Sequence, residues 1–281
     1  MSHGDVDFAT FCPRLLRKLL CYNIVMEKAW MDGIRQWWEA LVHLHDSADP
    51  TTKHNLSLKY HHSLRTQENA QKLAQSLALS EHEQDLASLI GLLHDSGRFP
   101  QFYHYQTFRD SASRNHALWS VQLLEEEQVL HKLKETEQQW ILSAIANHNR
   151  FQLEAGLDEK STLFCHLLRD SDKLDIFRVM CENQFILDFE PTDHISPKIL
   201  QAIQNHQCAL NQDVRHEADF KLLQLSWVFD IHYPWTLQQL HQSGLLQRFY
   251  QTIAPSPEAD TAWEIVKNYK IKDSGCANET S

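Results

Sequence analysis

Apolar residues recur along this chain at the three- and four-residue spacing of an α-helix. In EHEQDLASLIGLL, Leu86, Leu89, Ile90 and Leu93 share one face and Leu92 widens it, which predicts a helix covered on most sides. Leu64, Ala70, Leu73, Ala74 and Leu77 make a narrower stripe upstream, and Ile141, Leu142, Ala144 and Ile145 another downstream. This spacing predicts helices over 29–45, 53–79, 82–95, 115–131, 135–148, 159–180, 197–208, 215–230, 235–251 and 258–271. No Asn-Gly or Asp-Gly pair sits between alternating apolar residues, so no hairpin is predicted and the fold class is all-α. DFEPTDHISPKI (188–199), with Pro191 and Pro197, reads as a loop. The expected organisation is an N-terminal helical segment (1–50), a core (51–185) and C-terminal helices packed on it (186–281). APSPEAD (254–260) predicts a turn, and the last ten residues a frayed tail.

Composition narrows the class. Only 7 Gly and 8 Pro in 281 residues suit long helices. A net charge of −11 with no Lys/Arg block argues against a surface that coats nucleic acid. No run approaches the roughly 18 apolar residues of a membrane span. Six scattered cysteines (Cys12, Cys21, Cys165, Cys181, Cys208 and Cys276), with no CxxC pair, read as reduced thiols of a cytoplasmic protein. The anomaly is 18 histidines, among which position must select.

Position selects a constellation. His62 stands in KYHHSL; His94 and Asp95 follow the apolar run of GLLHDSGRFPQF; His116 opens HALWSVQLL; His148 ends WILSAIANH; Asp172 lies in LLRDSDKLDIF. Each helix thus carries an imidazole or carboxylate at or beside its apolar stretch. A buried, unpaired aspartate is costly, and a divalent cation is among the few partners that offset the cost. Imidazole and carboxylate without thiolate suit iron, manganese, nickel or zinc better than a structural zinc site. Neighbours on a helix point about 100° apart, so His94 and Asp95 reach one cavity if the helix end relaxes, and Gly97 is the expected cause. The same tripeptide occurs at His45-Asp46-Ser47, but it runs into ADPTTK with no matching carboxylate nearby and reads as a plain helix end.

The strings YHHSL, LLHDSGRFPQF and RDSDKLD resemble the HD-domain superfamily of metal-dependent phosphohydrolases, whose motif is H…HD…D. Over about residues 55–180, the resemblance implies an all-helical HD-domain bundle with additional C-terminal helices. It selects Asp172, followed by Lys173 and Leu174, over Asp170 and Asp175, and His62 over His61 because Ser-Leu follows. With His116 and His148 between, the order matches the H…HD…H…H…D subset that holds two metals. The implied ligands are therefore His62, His94, Asp95, His116, His148 and Asp172, with Asp95 bridging two divalent ions (iron, manganese, nickel, zinc or magnesium). The implied activity is hydrolysis of a phosphate ester or phosphoanhydride, on a small nucleotide-like substrate, by a metal-activated water. No Gly-Tyr-Pro follows the HD pair, which separates the chain from the cyclic-dinucleotide-cleaving branch. Two alternatives share the ligands: a di-iron oxygenase resembling inositol oxygenase, and a silent nucleotide-binding HD module, against which the full ligand set weighs.

Arg98 and Lys173 flank ligands and are the first candidates to hold phosphate, ahead of Arg65, Arg109 and Arg114. Phe99, Phe102, Tyr103, Tyr105 and Phe108 are expected to pack the core in preference to stacking a base.

Overall fold

Every regular element is a helix among residues 30–182 and 194–271, the part of the chain that the computed structural model describes. Helix α1 covers 30–44. It is followed by α2 (Pro50–Ser76), α3 (Glu81–Leu93), α4 (Arg98–Tyr105), α5 (His116–Glu126), α6 (Glu135–Asn147) and α7 (Glu159–Glu182). Beyond these come α8 (Pro197–Gln204), α9 (Glu217–Ser226), α10 (Pro234–Gln242), α11 (Leu245–Tyr250) and α12 (Pro257–Asn268). The all-α expectation holds. Among the described residues no helix is long and apolar enough to cross a membrane. Residues 183–193, with half of the predicted 188–199 loop, and the predicted tail lie outside the described part, as do Cys12, Cys21 and Cys276.

Local chemistry sets the boundaries. Asp49 caps α2, accepting from the Thr52 N–H at 2.7 Å, and Pro50 occupies the first turn, so the helix opens ahead of residue 53. Ser80 and Glu83 form a reciprocal capping box on α3. The helix predicted over 235–251 is two, α10 and α11, because Gly244 takes a left-handed backbone (φ +67°). Periodicity misses α4, whose eight residues give too few turns to show a repeat.

Helix α3 is the centre of the N-terminal half. All its residues from Leu86 to Leu93 are buried, and α2, α6 and α7 pack against it. Gly91 allows the approach of α2: a Cβ there would lie 2.7 Å from the Thr66 carbonyl oxygen. Trp38, Leu73, Leu89, Phe99 and Phe164 belong to this first core; Phe177, Ile199, Leu222, Leu240 and Val266 belong to a second, C-terminal one.

Helix α7 enters both cores. From Arg169 to Asp175 each residue is buried, although only Leu174 is apolar. Buried charge needs partners, and nearly all have them. Asp170 accepts the N–H groups of His232 and Tyr233 at 2.9 and 2.8 Å. Arg169 and Lys173 share Asp230, at 2.5 and 2.7 Å. Asp175 receives Arg65 and His62. Asp172 alone in this run points one oxygen, Oδ1, where no hydrogen bond meets it.

Candidate metal centre

Five helices deliver the six candidate ligands to one place. His62 lies in α2, His94 caps the end of α3 with Asp95 next to it, His116 opens α5, His148 caps the end of α6, and Asp172 lies in α7. All six are buried. His62 Nε2 stands 3.2 Å from His94 Nε2 and 3.0 Å from Asp172 Oδ1. Asp95 Oδ2 faces the same group, 3.6 Å from His62 Nε2 and 3.5 Å from His94 Nε2. Its other oxygen, Oδ1, lies 3.4 Å from His116 Nε2 and 3.8 Å from His148 Nε2, and those two nitrogens are 3.0 Å apart. One carboxylate thus separates two ligand groups. His62, His94 and Asp172, and also His94, Asp95 and His148, form trios whose ligand atoms lie within 4.8 Å of one another.

The outer nitrogens explain why the inner ones converge. His62 Nδ1 meets Asp175 at 2.7 Å, and His116 Nδ1 meets Asp110 at 2.8 Å. His94 Nδ1 meets the Gly91 carbonyl at 2.8 Å, and His148 Nδ1 the Ile145 carbonyl at 2.7 Å. Each partner is an acceptor, so each Nδ1 carries the ring proton and each Nε2 presents a lone pair. With all four rings neutral, four lone pairs and two carboxylates would face one another in a buried space. Only added protons or cations relieve that crowding, and the orphaned Asp172 Oδ1 marks where one is needed. The donor set fits a divalent metal of imidazole and carboxylate preference.

Electrostatics agree. Burial raises the Asp95 carboxyl, but Lys59, His94, Arg98 and His116 outweigh it and hold it well below the usual range. Burial likewise opposes ionisation of Asp172, and His62 and His94 hold that carboxyl down. For His62, burial and the Lys59 charge act downward, yet Asp172 and Asp175 raise its pKa to about 9, so the crowded cluster takes up a proton there. His148 falls to about 3 through burial and the neighbouring His116 and His94.

A model of the HD domain family matches residues 59–176. Residues 59–176 are an HD domain. The HD-domain match starts at Lys59, in the turn before His62, and ends at Ile176, just past Asp175, so it encloses all six clustered residues. HD domains form a superfamily of metal-dependent phosphohydrolases. No curated protein and no solved structure matches the chain.

Gly97 acts differently from expectation. Its backbone is ordinary right-handed helix (φ −66°, ψ −17°), so it does not relax the helix end. Its missing side chain is what matters: a Cβ would lie 2.4 Å from the His116 carbonyl oxygen. The glycine lets α5 bring His116 beside Asp95.

The cations expected to hold phosphate are placed unequally. Arg98 is at the centre: its Nε lies 3.6 Å from Asp95 Oδ1, is buried, and has no hydrogen-bond partner. Lys173 is not brought to the cluster, because successive helix residues diverge and its ammonium turns to Asp230. Arg65 is spent on Asp175, and Arg114 stacks on Trp119. Phe99 and Phe102 are core residues as expected, whereas Tyr103 and Tyr105 are exposed. Three residues of the site escape the sequence reading: Asp110 and Asp175, which orient His116 and His62, and Lys59, 2.8 Å from Asp95 Oδ2. Lys59 and Asp175 carry a signal, since each stands three residues from a candidate ligand, His62 and Asp172, on the same helix face; Asp110 carries none.

Proposed function

We propose that this HD domain hydrolyses a phosphate ester or phosphoanhydride of a small, nucleotide-like molecule, using two divalent cations. His62, His94, Asp172 and Asp95 Oδ2 would hold one cation; His116, His148 and Asp95 Oδ1 would hold the other. Bound there, divalent cations supply Lewis acidity toward phosphoryl oxygens and make water a nucleophile near neutral pH.

The observation that carries the reading is a pair of opposite orphans on either side of Asp95. Asp172 Oδ1 is a buried acceptor that faces only the imidazole nitrogens of His62 and His94, and Arg98 Nε is a buried donor without an acceptor. The first calls for a cation and the second for an anion, which is what a metal-bound phosphate provides. Arg98 is braced to meet an anion, because its Nη1 donates to Gln101 Oε1 at 2.7 Å and to the Phe108 carbonyl at 2.6 Å, leaving Nε directed inward. Asp175 and Asp110 fix the ring planes of His62 and His116 by accepting from Nδ1, so Nε2 is the atom each ring turns to the centre.

Metal analysis of freshly purified protein, followed by a phosphate-release screen under anaerobic conditions, tests this. The expected result is about two equivalents per chain and chelator-sensitive phosphate release that needs no oxygen. Turnover that requires oxygen and releases no phosphate overturns it in favour of the oxygenase.

A further inference from the structure

We propose that Lys59 is a phosphate-binding residue of this site, held on the Asp95 carboxylate in the metal-free protein and turned to the substrate's phosphoryl oxygens once cations occupy that carboxylate. This role rests on the metal-dependent reading above and goes beyond it, because it assigns the cation that receives the substrate and the event that frees it.

The geometry makes Lys59 a stand-in for a metal. Its Nζ lies 2.8 Å from Asp95 Oδ2, the oxygen that also faces His62 and His94. A divalent ion at ligand distance from that oxygen and an ammonium already on it repel each other. The ammonium is therefore displaced outward when an ion binds.

Its surroundings give it somewhere to go. The Lys59 side chain is 21 % exposed, more than the 14 % of Arg98, while Asp95 is 3 % exposed. Other cations close by are committed elsewhere: Lys173 to Asp230, Arg65 to Asp175, and Arg98 Nη1 to Gln101 and the Phe108 carbonyl. Lys59 has no such anchor besides Asp95; its ammonium otherwise rests 5.5 Å from the centre of the Phe108 ring. The Arg98 guanidinium lies 5.6 Å from the same ring centre. Two cations thus flank one aromatic ring and one carboxylate, and an anion entering between them meets Lys59 from one side and Arg98 Nε from the other. A lysine suits the movable partner, having three donors on a flexible stem.

Loss of the Lys59 charge should move apart two affinities that a structural role would move together. Lys59→Met keeps the stem and removes the charge; Lys59→Gln serves if that variant does not purify folded. Mn(II) is titrated into the metal-free protein by calorimetry, and inorganic phosphate into the Mn(II)-loaded protein. The expected outcome is Mn(II) affinity equal to or tighter than the parent's, with phosphate binding weakened about tenfold. Lys59→Arg should bring phosphate binding back to within about threefold of the parent. Phosphate affinity within twofold of the parent in Lys59→Met, or Mn(II) affinity falling along with it, overturns this role while leaving the metal centre standing. A parent protein that takes up no Mn(II) overturns the metal reading and this role with it.

Discussion

The chain writes His-Asp-Ser twice, and the two copies fold almost alike. Each follows an apolar helix: His45 comes directly after α1, and His94 caps α3. Each histidine is buried and sets its Nδ1 2.8 Å from a backbone carbonyl, Leu41 for His45 and Gly91 for His94. They part at the next residue. Asp46 is exposed and accepts the Ser47 N–H, whereas Asp95 is buried between two groups of imidazoles. Around His45 the neighbours are the rings of Tyr103 and His104; around His94 they are His62, His148 and Asp172. The tripeptide makes a helix end. What surrounds it makes a site.

The strongest way to break this comparison is to remove each aspartate in turn. Asp95→Ala should empty both ligand groups and abolish hydrolysis, while Asp46→Ala keeps the parent's metal content, both read by elemental analysis of folded protein. Metal lost from Asp46→Ala, or kept in full by Asp95→Ala, ends the distinction.

Smaller effects sharpen it. Asp175→Asn and Asp110→Asn leave the ligands in place but loosen the orientation of His62 and His116; metal affinity should fall about 10- to 100-fold, measured by chelator competition. His45→Ala, which removes an equally buried ring, should leave metal affinity at the parent's value and lower only the melting temperature.

The residue after each tripeptide also differs: Ala48 in the first copy, Gly97 in the second. Gly97→Ala forces a Cβ against the His116 carbonyl and should cost about 1–3 kcal/mol in denaturant unfolding. Ala48→Gly, at an exposed position with no such neighbour, should change stability by about 0.5 kcal/mol or less.

Proton linkage gives the mildest contrast. His62, raised to about 9 in the metal-free protein, contributes stability that is complete below its unfolded value near 6.5 and is lost as pH rises through about 9. His45 is shifted downward, chiefly by burial, so its contribution is complete above 6.5 and declines as pH falls below that value. A metal held by His62 would need its Nε2 deprotonated. The melting temperature of the loaded protein minus that of the metal-free one should therefore grow between pH 6.5 and 9, and Asp46→Ala should show the same growth.

Much of this is readable in the linear chain, for a physical reason. Helical periodicity is local, so α2, α3, α6 and α7 show themselves, and the ordered histidines and aspartates stand at or near their apolar stretches. Long-range pairing is not local. Nothing near Lys173 announces that Asp230, on the far side of residues 183–193, will claim its ammonium, and nothing near His116 shows that Asp110 will fold back onto it. Gly97 stands out in the sequence for the wrong property: backbone freedom is a local inference, while clearance for another helix is visible only once the helices are packed.

The two-core path of α7 has a thermodynamic consequence. Asp172 and Phe177 are five positions apart on one rod, and Asp170, Arg169 and Lys173 tie the same rod to the segment from Asp230 to Tyr233. The C-terminal helices α8–α12 contribute no side chain to the ligand cluster, yet they pack on the helix that carries Asp172. An ion at a hundredfold excess over its dissociation constant stabilises the folded state by about 2.7 kcal/mol. If an ion binds at the cluster, protease resistance of α8–α12 is expected to rise with its occupancy, and cleavage that loosens those helices should weaken ion affinity by the same reciprocal free energy.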